Sequence, residues 1–251
     1  FDDNGVKFFD SEANKLSDSM ELSIESKLDT PLSSISASKL GQVSRVDDAR
    51  GRYVEFCKRT VDSKLRLDDL HVVVDCANGA GYSVAPRVFR ELGADVVAIS
   101  VDPDGSNINR DCGSTHPEFL REKVVELRAD AGIALDGDAD RVIMVDAEGE
   151  IVDGDELIYV IARSMQMKGR LSGGVVGTEM SNGGLDRAFE DLGIPFERTK
   201  VGDRHVVELL RNKRWELGGE SSGHIVCLNW ANPGDVDVGK GCAQAMKSAG
   251  A

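Results

Sequence analysis

The sequence lacks the features of membrane-spanning and exported proteins. No apolar run in its 251 residues approaches the roughly 18–20 residues that a membrane-spanning helix needs. No signal peptide is visible, because the chain opens with Phe1-Asp2-Asp3-Asn4. Five cysteines occur without a CxxC pair, and an odd, unpatterned set is typical of reduced thiols. These features predict a cytoplasmic protein without a membrane partner.

The sequence also lacks a long basic tract. It contains 44 acidic residues against 30 Lys and Arg, which gives a formal net charge of -14. Such an excess of negative charge disfavours nucleic acid and anionic membrane as general partners. An anionic small substrate would therefore need a local cationic pocket.

What is present is an alternation of strands and helices. The apolar run at 71–75 predicts a buried strand, residues 83–92 a helix that ends before Gly93, and 95–101 a second strand. A strand–helix–strand unit of this kind predicts a parallel sheet. The turn at 78–81 lacks the Gly-Lys-Ser/Thr ending of a phosphate loop, so a tight strand-to-helix turn is the better interpretation.

The same alternation recurs later in the chain. Residues 174–177 predict a strand, Ser181 or Asn182 a helix N-cap, and 196–201 another strand after Gly193. The helix ends Phe-Arg-Glu-Leu-Gly at 89–93 and Phe-Glu-Asp-Leu-Gly at 189–193 are similar. We therefore predict two related α/β units.

An acidic loop lies between two apolar runs, at 131–135 and 142–145. Asp136, Asp138 and Asp140 stand at alternate positions in it, and Arg141 follows. Such carboxylates repel one another, and their hard oxygens suit Mg²⁺ or Ca²⁺. The alternative is a solvated acidic turn. The spacing, the flanking strands and the adjacent cation favour a metal site.

Two other kinds of acidic site make different demands on this loop. A calcium-binding EF-hand would need Gly at the position of Arg141 and Glu at that of Ala147, and helices rather than strands on either side. An aspartyl phosphatase could use Asp136 as its nucleophile after a buried strand, although that chemistry requires neither the third Asp nor Arg141. The first interpretation fails, and the second stays open as a minor alternative.

The acidic loop resembles the metal loop of the α-D-phosphohexomutases, and the resemblance extends to other segments. Residues 219–224 (Gly-Glu-Ser-Ser-Gly-His) resemble that family's sugar-binding loop, and residues 3–7 resemble the segment after its catalytic serine motif. Strings similar to the phosphoglucosamine mutase branch of the family lie at 74–80, 176–182 and 199–204. The motifs follow one another in family order and cover residues 1 to about 228.

The resemblance implies one Mg²⁺ per site, held by Asp136, Asp138 and Asp140 together with an oxygen of a phosphoserine. Arg141, a permanently charged fork, would hold a phosphoryl oxygen. The phosphoserine would donate its phosphoryl group to a sugar phosphate and receive one back from the bisphosphate intermediate. The cation would neutralise the charge that develops during each transfer.

The resemblance also implies roles for five further residues. Lys7 matches a lysine placed for proton transfer near the phosphoserine. His224 would be a second acid/base group or a phosphate contact. Glu220, Ser222 and Gly202 would bind the phosphosugar substrate.

The activity implied is that of an isomerase, which interconverts glucosamine 6-phosphate and glucosamine 1-phosphate in amino-sugar metabolism. A phosphomannomutase or phosphoglucomutase is the nearest alternative, and a non-catalytic module that binds magnesium and phosphosugar is another. A homodimer is compatible with the resemblance.

Two features of the family are absent from the sequence. There is no Ser-His-Asn-Pro motif, and no C-terminal phosphate-binding domain can be recognised. We therefore expect a fragment without turnover of its own, which consists of two consecutive mixed-sheet α/β domains preceded by the tail of a third. The predicted divisions are 1–48 for the end of domain 1, 49–162 for domain 2 with the metal loop, and 163–251 for domain 3 with the sugar loop. The third division diverges after about residue 228.

Overall fold

A computed structural model describes residues 8, 16–31, 34, 36–41 and 45–228. The helices are α1 (Asp18–Glu25), α2 (Ala49–Arg59), α3 (Ala85–Glu91), α4 (Glu118–Leu127), α5 (Gly154–Met167), α6 (Gly183–Asp191) and α7 (Asp203–Lys213). The strands are β1 (His71–Asp75), β2 (Asp95–Ile99), β3 (Ala131–Leu135), β4 (Val142–Asp146), β5 (Ile151–Val152), β6 (Val175–Thr178), β7 (Phe196–Thr199), β8 (Leu217–Gly219) and β9 (Ile225–Cys227). Within the described ranges, none of the helices has the length and apolar character needed to cross a membrane.

The strands form two mixed sheets. The first has the order β2-β1-β3-β4-β5, in which β2, β1 and β3 are parallel and β4 and β5 are antiparallel to their neighbours. The second has the order β7-β6-β8-β9, again with three parallel strands and one antiparallel strand. The predicted α/β fold class and the parallel pairing on either side of α3 are therefore confirmed.

The two sheets repeat one arrangement. In each, a helix ends close to a glycine with positive φ before the next strand begins: Gly93 has φ +110° and Gly193 has φ +65°. In each, the third parallel strand turns into an antiparallel neighbour, β3 into β4 and β8 into β9. The acidic loop and the predicted sugar-binding loop occupy these two equivalent turns.

Helix α5 joins the two sheets through one apolar core. Its residues Ile158 and Ile161 belong to the same buried cluster as Ile133 of the first sheet and Leu217 of the second. The helix begins with a capping box, in which Asp153 accepts from the Glu156 N–H and the Glu156 side chain accepts from the Asp153 N–H. The predicted boundary after residue 162 falls inside α5 and stays a prediction.

A buried aspartate at the end of β1 fixes the loop beside the acidic loop. Asp75 is fully buried, and its two oxygens accept hydrogen bonds from the Ala77 and Gly113 N–H groups, both at 2.9 Å. The Ser114 N–H donates to the Leu135 carbonyl at 2.9 Å. The long loop before α4 is therefore fastened to the end of β3, where the acidic loop begins.

Replacing Asp75 by Asn is expected to destabilise the fold by about 1–3 kcal/mol, because the amide nitrogen would face a buried N–H donor in place of an acceptor. Urea unfolding measures the change. Asp95→Asn is the control, since Asp95 is an exposed carboxylate beside His71 and its loss should cost less than about 0.5 kcal/mol. Equal losses in the two variants would contradict the role assigned to Asp75.

Candidate active site

The three aspartates of the acidic loop come together at the end of β3. One carboxylate oxygen from each of Asp136, Asp138 and Asp140 lies within 4.8 Å of the others. Asp136 is buried, Asp140 is half-buried and Asp138 is exposed. The loop therefore offers three hard carboxylate oxygens, which range from buried at Asp136 to exposed at Asp138.

The loop is held in shape by its own backbone. Oδ1 of Asp136 accepts hydrogen bonds from the Asp140 and Arg141 N–H groups, both at 3.0 Å. Ala139 adopts the left-handed conformation at φ +62°, and its N–H donates to the Asp136 carbonyl at 3.1 Å. The ligand positions are thus preorganised by local bonds.

The turn after β1 supports the acidic loop. The Ala80 N–H donates to the Gly137 carbonyl at 2.8 Å. A Cβ atom on Gly79 would lie 2.2 Å from that same carbonyl oxygen, so only glycine allows the approach. The segment that superficially resembles a phosphate loop is therefore a tight turn, as predicted, and it braces the candidate metal site.

The charges of this loop fit a divalent cation. Burial, and then the nearby carboxylates of Asp140 and Asp138, raise the pKa of Asp136 to about 7, although the Arg141 N–H hydrogen bond opposes the shift. The Arg141 guanidinium lies 3.8 Å from both Asp136 and Asp140 and is about half exposed. One cation does not balance three carboxylates, so the residues fit a bound divalent ion.

Asp136→Asn is expected to stabilise the metal-free protein at about pH 8. The folded-state pKa is raised above the unfolded value, so ionised Asp136 destabilises the fold increasingly as the pH rises from about 4 to 7. We expect a gain on the order of 2 kcal/mol at pH 8 in EDTA, and no gain below about pH 4. Thermal unfolding across this range measures it, with exposed Asp191→Asn as the control. A wild-type protein as stable as the Asp136 variant at pH 8 would contradict the prediction.

The predicted sugar-binding loop, residues 219–224, runs from the last residue of β8 through a compact turn to β9. Oε1 of Glu220 accepts a hydrogen bond from the Gly202 N–H at 2.8 Å. The Gly223 N–H donates to the Glu220 carbonyl at 3.0 Å, and Ser222 is exposed at the tip. The structure therefore brings Gly202 to Glu220 of the sugar-binding loop, and substrate binding by Glu220, Gly202 and Ser222 stays a prediction.

The acidic loop and the sugar-binding loop touch. The Val142 N–H, directly after the acidic loop, donates to the Gly223 carbonyl at 3.0 Å. His224 is buried between two carboxylates, with Nδ1 at 3.7 Å from Asp140 Oδ2 and Nε2 at 3.6 Å from Asp203 Oδ2. The candidate metal ligands and the candidate sugar contacts thus form one site.

One residue of this site was missed by sequence reasoning, and one predicted residue lies outside the described part of the chain. Asp203 begins α7 and faces His224; it belongs to the string at 199–204 that carried the resemblance, but its partner could not be read from that string. Lys7 lies outside the described residues, so its role in proton transfer stays a prediction.

Comparison with protein families places the two loops in consecutive domains. Residues 51–149 match the phosphoglucomutase/phosphomannomutase α/β/α domain II, and residues 153–239 match domain III of the same family. The acidic loop lies in the first match and the sugar-binding loop in the second.

A phosphoglucosamine mutase of Legionella pneumophila (strain Lens) is 59% identical over 235 residues, which are 94% of this chain and 52% of that protein. The chain spans about half the length of the curated relatives it matches.

Solved structures share the fold. A putative phosphomannomutase from Thermus thermophilus has a TM-score of 0.75 at 20% identity, over 96% of this chain and 55% of that chain. The N-acetylphosphoglucosamine mutase of Aspergillus fumigatus has a TM-score of 0.51 at 24% identity, over 78% and 46%. Because the two domain matches cover most of the residues in consecutive order, this chain belongs to the phosphoglucomutase/phosphomannomutase family, the α-D-phosphohexomutases.

Proposed function

We propose that this chain supplies the metal-binding and sugar-binding parts of a phosphosugar mutase that interconverts glucosamine 6-phosphate and glucosamine 1-phosphate. Relatives at 55–59% identity carry the name phosphoglucosamine mutase. The observation that carries the proposal is the contact of the two loops, in which His224 lies between Asp140 and Asp203. That contact supports a single site for phosphoryl and sugar recognition.

At the phosphoryl end, Asp136, Asp138 and Asp140 would hold one Mg²⁺. When bound, the cation would neutralise charge that develops on the transferring phosphoryl group. Arg141 stands beside the three carboxylates with its side chain half exposed, so its fork can reach a phosphoryl oxygen. The Aspergillus fumigatus enzyme was solved with GlcNAc-6P and magnesium, which supports this pairing of ligands in the fold.

At the sugar end, Glu220 uses Oε1 to hold the Gly202 N–H, so Oε2 would accept from a sugar hydroxyl. Ser222 offers an exposed hydroxyl at the tip of the same loop. His224, which lies between Asp140 and Asp203, would act as a second acid/base group or as a contact for the substrate phosphate. Lys7 would move a proton near the phosphoserine of the complete site.

A chimera tests the proposal. Residues 8–228 of this chain would replace the matching region of the Legionella pneumophila enzyme, and conversion of glucosamine 6-phosphate would be assayed. We expect activity from the chimera and none from the same chimera with Asp138→Ala and Asp140→Ala. A folded chimera that binds Mg²⁺ but converts no glucosamine phosphate would refute the proposed activity.

The same chimera separates the alternatives. The family description also names phosphoglucomutase and phosphomannomutase, so turnover of glucose and mannose phosphates would be measured in parallel. Preference for either sugar over glucosamine would favour that alternative.

The 251-residue chain alone contains no Ser-His-Asn-Pro motif, so we propose that it binds Mg²⁺ and phosphosugar without turnover. A non-catalytic module would bind in the same way but fail to support activity in the chimera.

We further propose a cytoplasmic location and a homodimeric assembly. Among the described cysteines, Cys76 and Cys112 are buried free thiols, which suits a reducing compartment. Cell fractionation tests the first proposal, and sedimentation of the full gene product tests the second.

A further inference from the structure

We propose that Asp155 is a positioning residue for the phosphosugar subsite, which it serves by tying the β6–α6 loop (residues 179–182) to the N-terminus of α5. The inference rests on the proposed function, since it assumes that the sugar-binding loop receives the substrate. Its geometric part, the anchoring of the β6–α6 loop by the first turn of α5, stands on the contacts below.

Asp155 is a buried acidic residue in the first turn of α5. Only 3% of its surface is exposed. Oδ2 accepts a hydrogen bond from the Asn182 N–H at 2.6 Å, which is a short, charge-assisted bond. Among the described residues, Oδ1 is buried without a hydrogen-bond partner. The positive end of the helix dipole makes a carboxylate tolerable there.

The same turn of α5 also holds the sugar-binding loop. The Gly154 N–H donates to the Ser221 carbonyl at 3.1 Å. A Cβ atom on Gly154 would lie 2.1 Å from the Glu220 carbonyl oxygen and 2.5 Å from the Gly223 nitrogen. Two consecutive residues of α5 therefore contact two different loops at the carboxyl edge of the second sheet: Gly154 contacts the sugar-binding loop and Asp155 contacts the β6–α6 loop.

The β6–α6 loop is braced from its other side by Arg198. The guanidinium donates to the Ser181 carbonyl at 2.7 Å and to the Asn182 carbonyl at 3.2 Å. Asp155 supplies the opposing contact, at the Asn182 N–H. Removing Asp155 leaves the loop attached to β7 but removes this bond to α5, the helix that holds the sugar-binding loop.

A side-chain bond between the first turn of α5 and the β6–α6 loop is expected to matter more for ligand geometry than for the fold. The capping box of Asp153 and Glu156 fixes the start of α5 without Asp155. The candidate metal ligands follow a strand of the other sheet and are held by bonds within their own loop. Loss of Asp155 should therefore weaken phosphosugar binding and spare Mg²⁺ binding, since a small misplacement of a binding group lowers affinity strongly.

The experiment compares Asp155→Ala, Asp155→Asn and Asp153→Ala in the 251-residue chain. Calorimetry measures the affinities for glucosamine 6-phosphate and for Mg²⁺, and hydrogen exchange measures protection of the Asn182 amide. Asp153→Ala is the matched control, because it removes a carboxylate from the same helix terminus whose hydrogen bond stays within that helix. Asp155→Asn keeps an acceptor for the Asn182 N–H and tests rescue.

We expect Asp155→Ala to bind glucosamine 6-phosphate roughly tenfold more weakly, with faster exchange at Asn182 and Mg²⁺ affinity within about twofold of wild type. Asp155→Asn should restore most of the binding, and Asp153→Ala should bind as wild type does. Wild-type binding by Asp155→Ala, or an equal loss in Asp153→Ala, would overturn the inference.

Two further outcomes keep the test decisive. If Asp155→Ala does not fold, the test uses Asp155→Asn. The inference would then be overturned by an Asp155→Asn variant that binds the phosphosugar more weakly while the exchange of the Asn182 amide is unchanged, because the loss of binding would not come from this contact. Failure of the wild-type chain to bind the phosphosugar would count against the proposed function, while Asn182 exchange would still report on the contact.

Discussion

Replacing Asp138 and Asp140 together by alanine is expected to abolish stabilisation of this chain by Mg²⁺. The two side chains supply two of the three oxygens that lie within 4.8 Å of one another, and Asp136 alone cannot hold a hard cation that needs several oxygen ligands. At a concentration about 100 times its Kd, Mg²⁺ should stabilise the wild-type protein by about 2.7 kcal/mol. The double variant should show no such gain in thermal unfolding and no heat of Mg²⁺ binding in calorimetry.

The control removes two carboxylates at the same spacing in the next turn. Glu148 and Glu150 are exposed residues at the β4–β5 hairpin, outside the acidic loop. Glu148→Ala with Glu150→Ala should keep the full response to Mg²⁺. If both double variants respond as the wild type does, the acidic loop is a solvated turn and the metal assignment is wrong.

The second large effect is expected from Gly223→Ala, at the contact between the two loops. Gly223 has φ +91°, and a Cβ atom there would lie 2.0 Å from the Val142 carbonyl oxygen, which is backbone and cannot turn away. We expect a loss on the order of 3 kcal/mol in unfolding free energy, from the clash together with the unfavourable φ. Where the variant still folds, the sugar-binding loop must move from β4, so phosphosugar binding should fall below detection.

Gly105→Ala separates the clash from the backbone strain. Gly105 has φ +84°, close to that of Gly223, but no atom lies within 4 Å of a Cβ placed there. It should lose only about 1 kcal/mol, which is the usual penalty of a side chain at positive φ. Urea unfolding of both variants gives the comparison. Similar losses would mean that the close approach of Gly223 to Val142 contributes nothing.

The sequence by itself determined the structural features that depend on residues close together in the chain. Apolar runs and the stops at Gly93 and Gly193 predicted β1, β2, β6 and β7 and the helices between them, because hydrophobic periodicity and glycine conformation act over one or two turns. The clustering of the candidate metal ligands could be predicted for the same reason: Asp136, Asp138 and Asp140 belong to one loop, so their proximity follows from their spacing.

Tertiary structure alone decided how the two loops meet. The contact of Val142 with Gly223, and the burial of His224 between Asp140 and Asp203, depend on the way α5 packs between the two sheets. Neither Asp203 nor Asp155 has a local signal that names its partner, because that partner lies on another element of the fold. The spacing of residues along a chain predicts which ligands lie close together within one loop. Contacts between distant loops follow instead from the packing of apolar side chains that take no part in the candidate site.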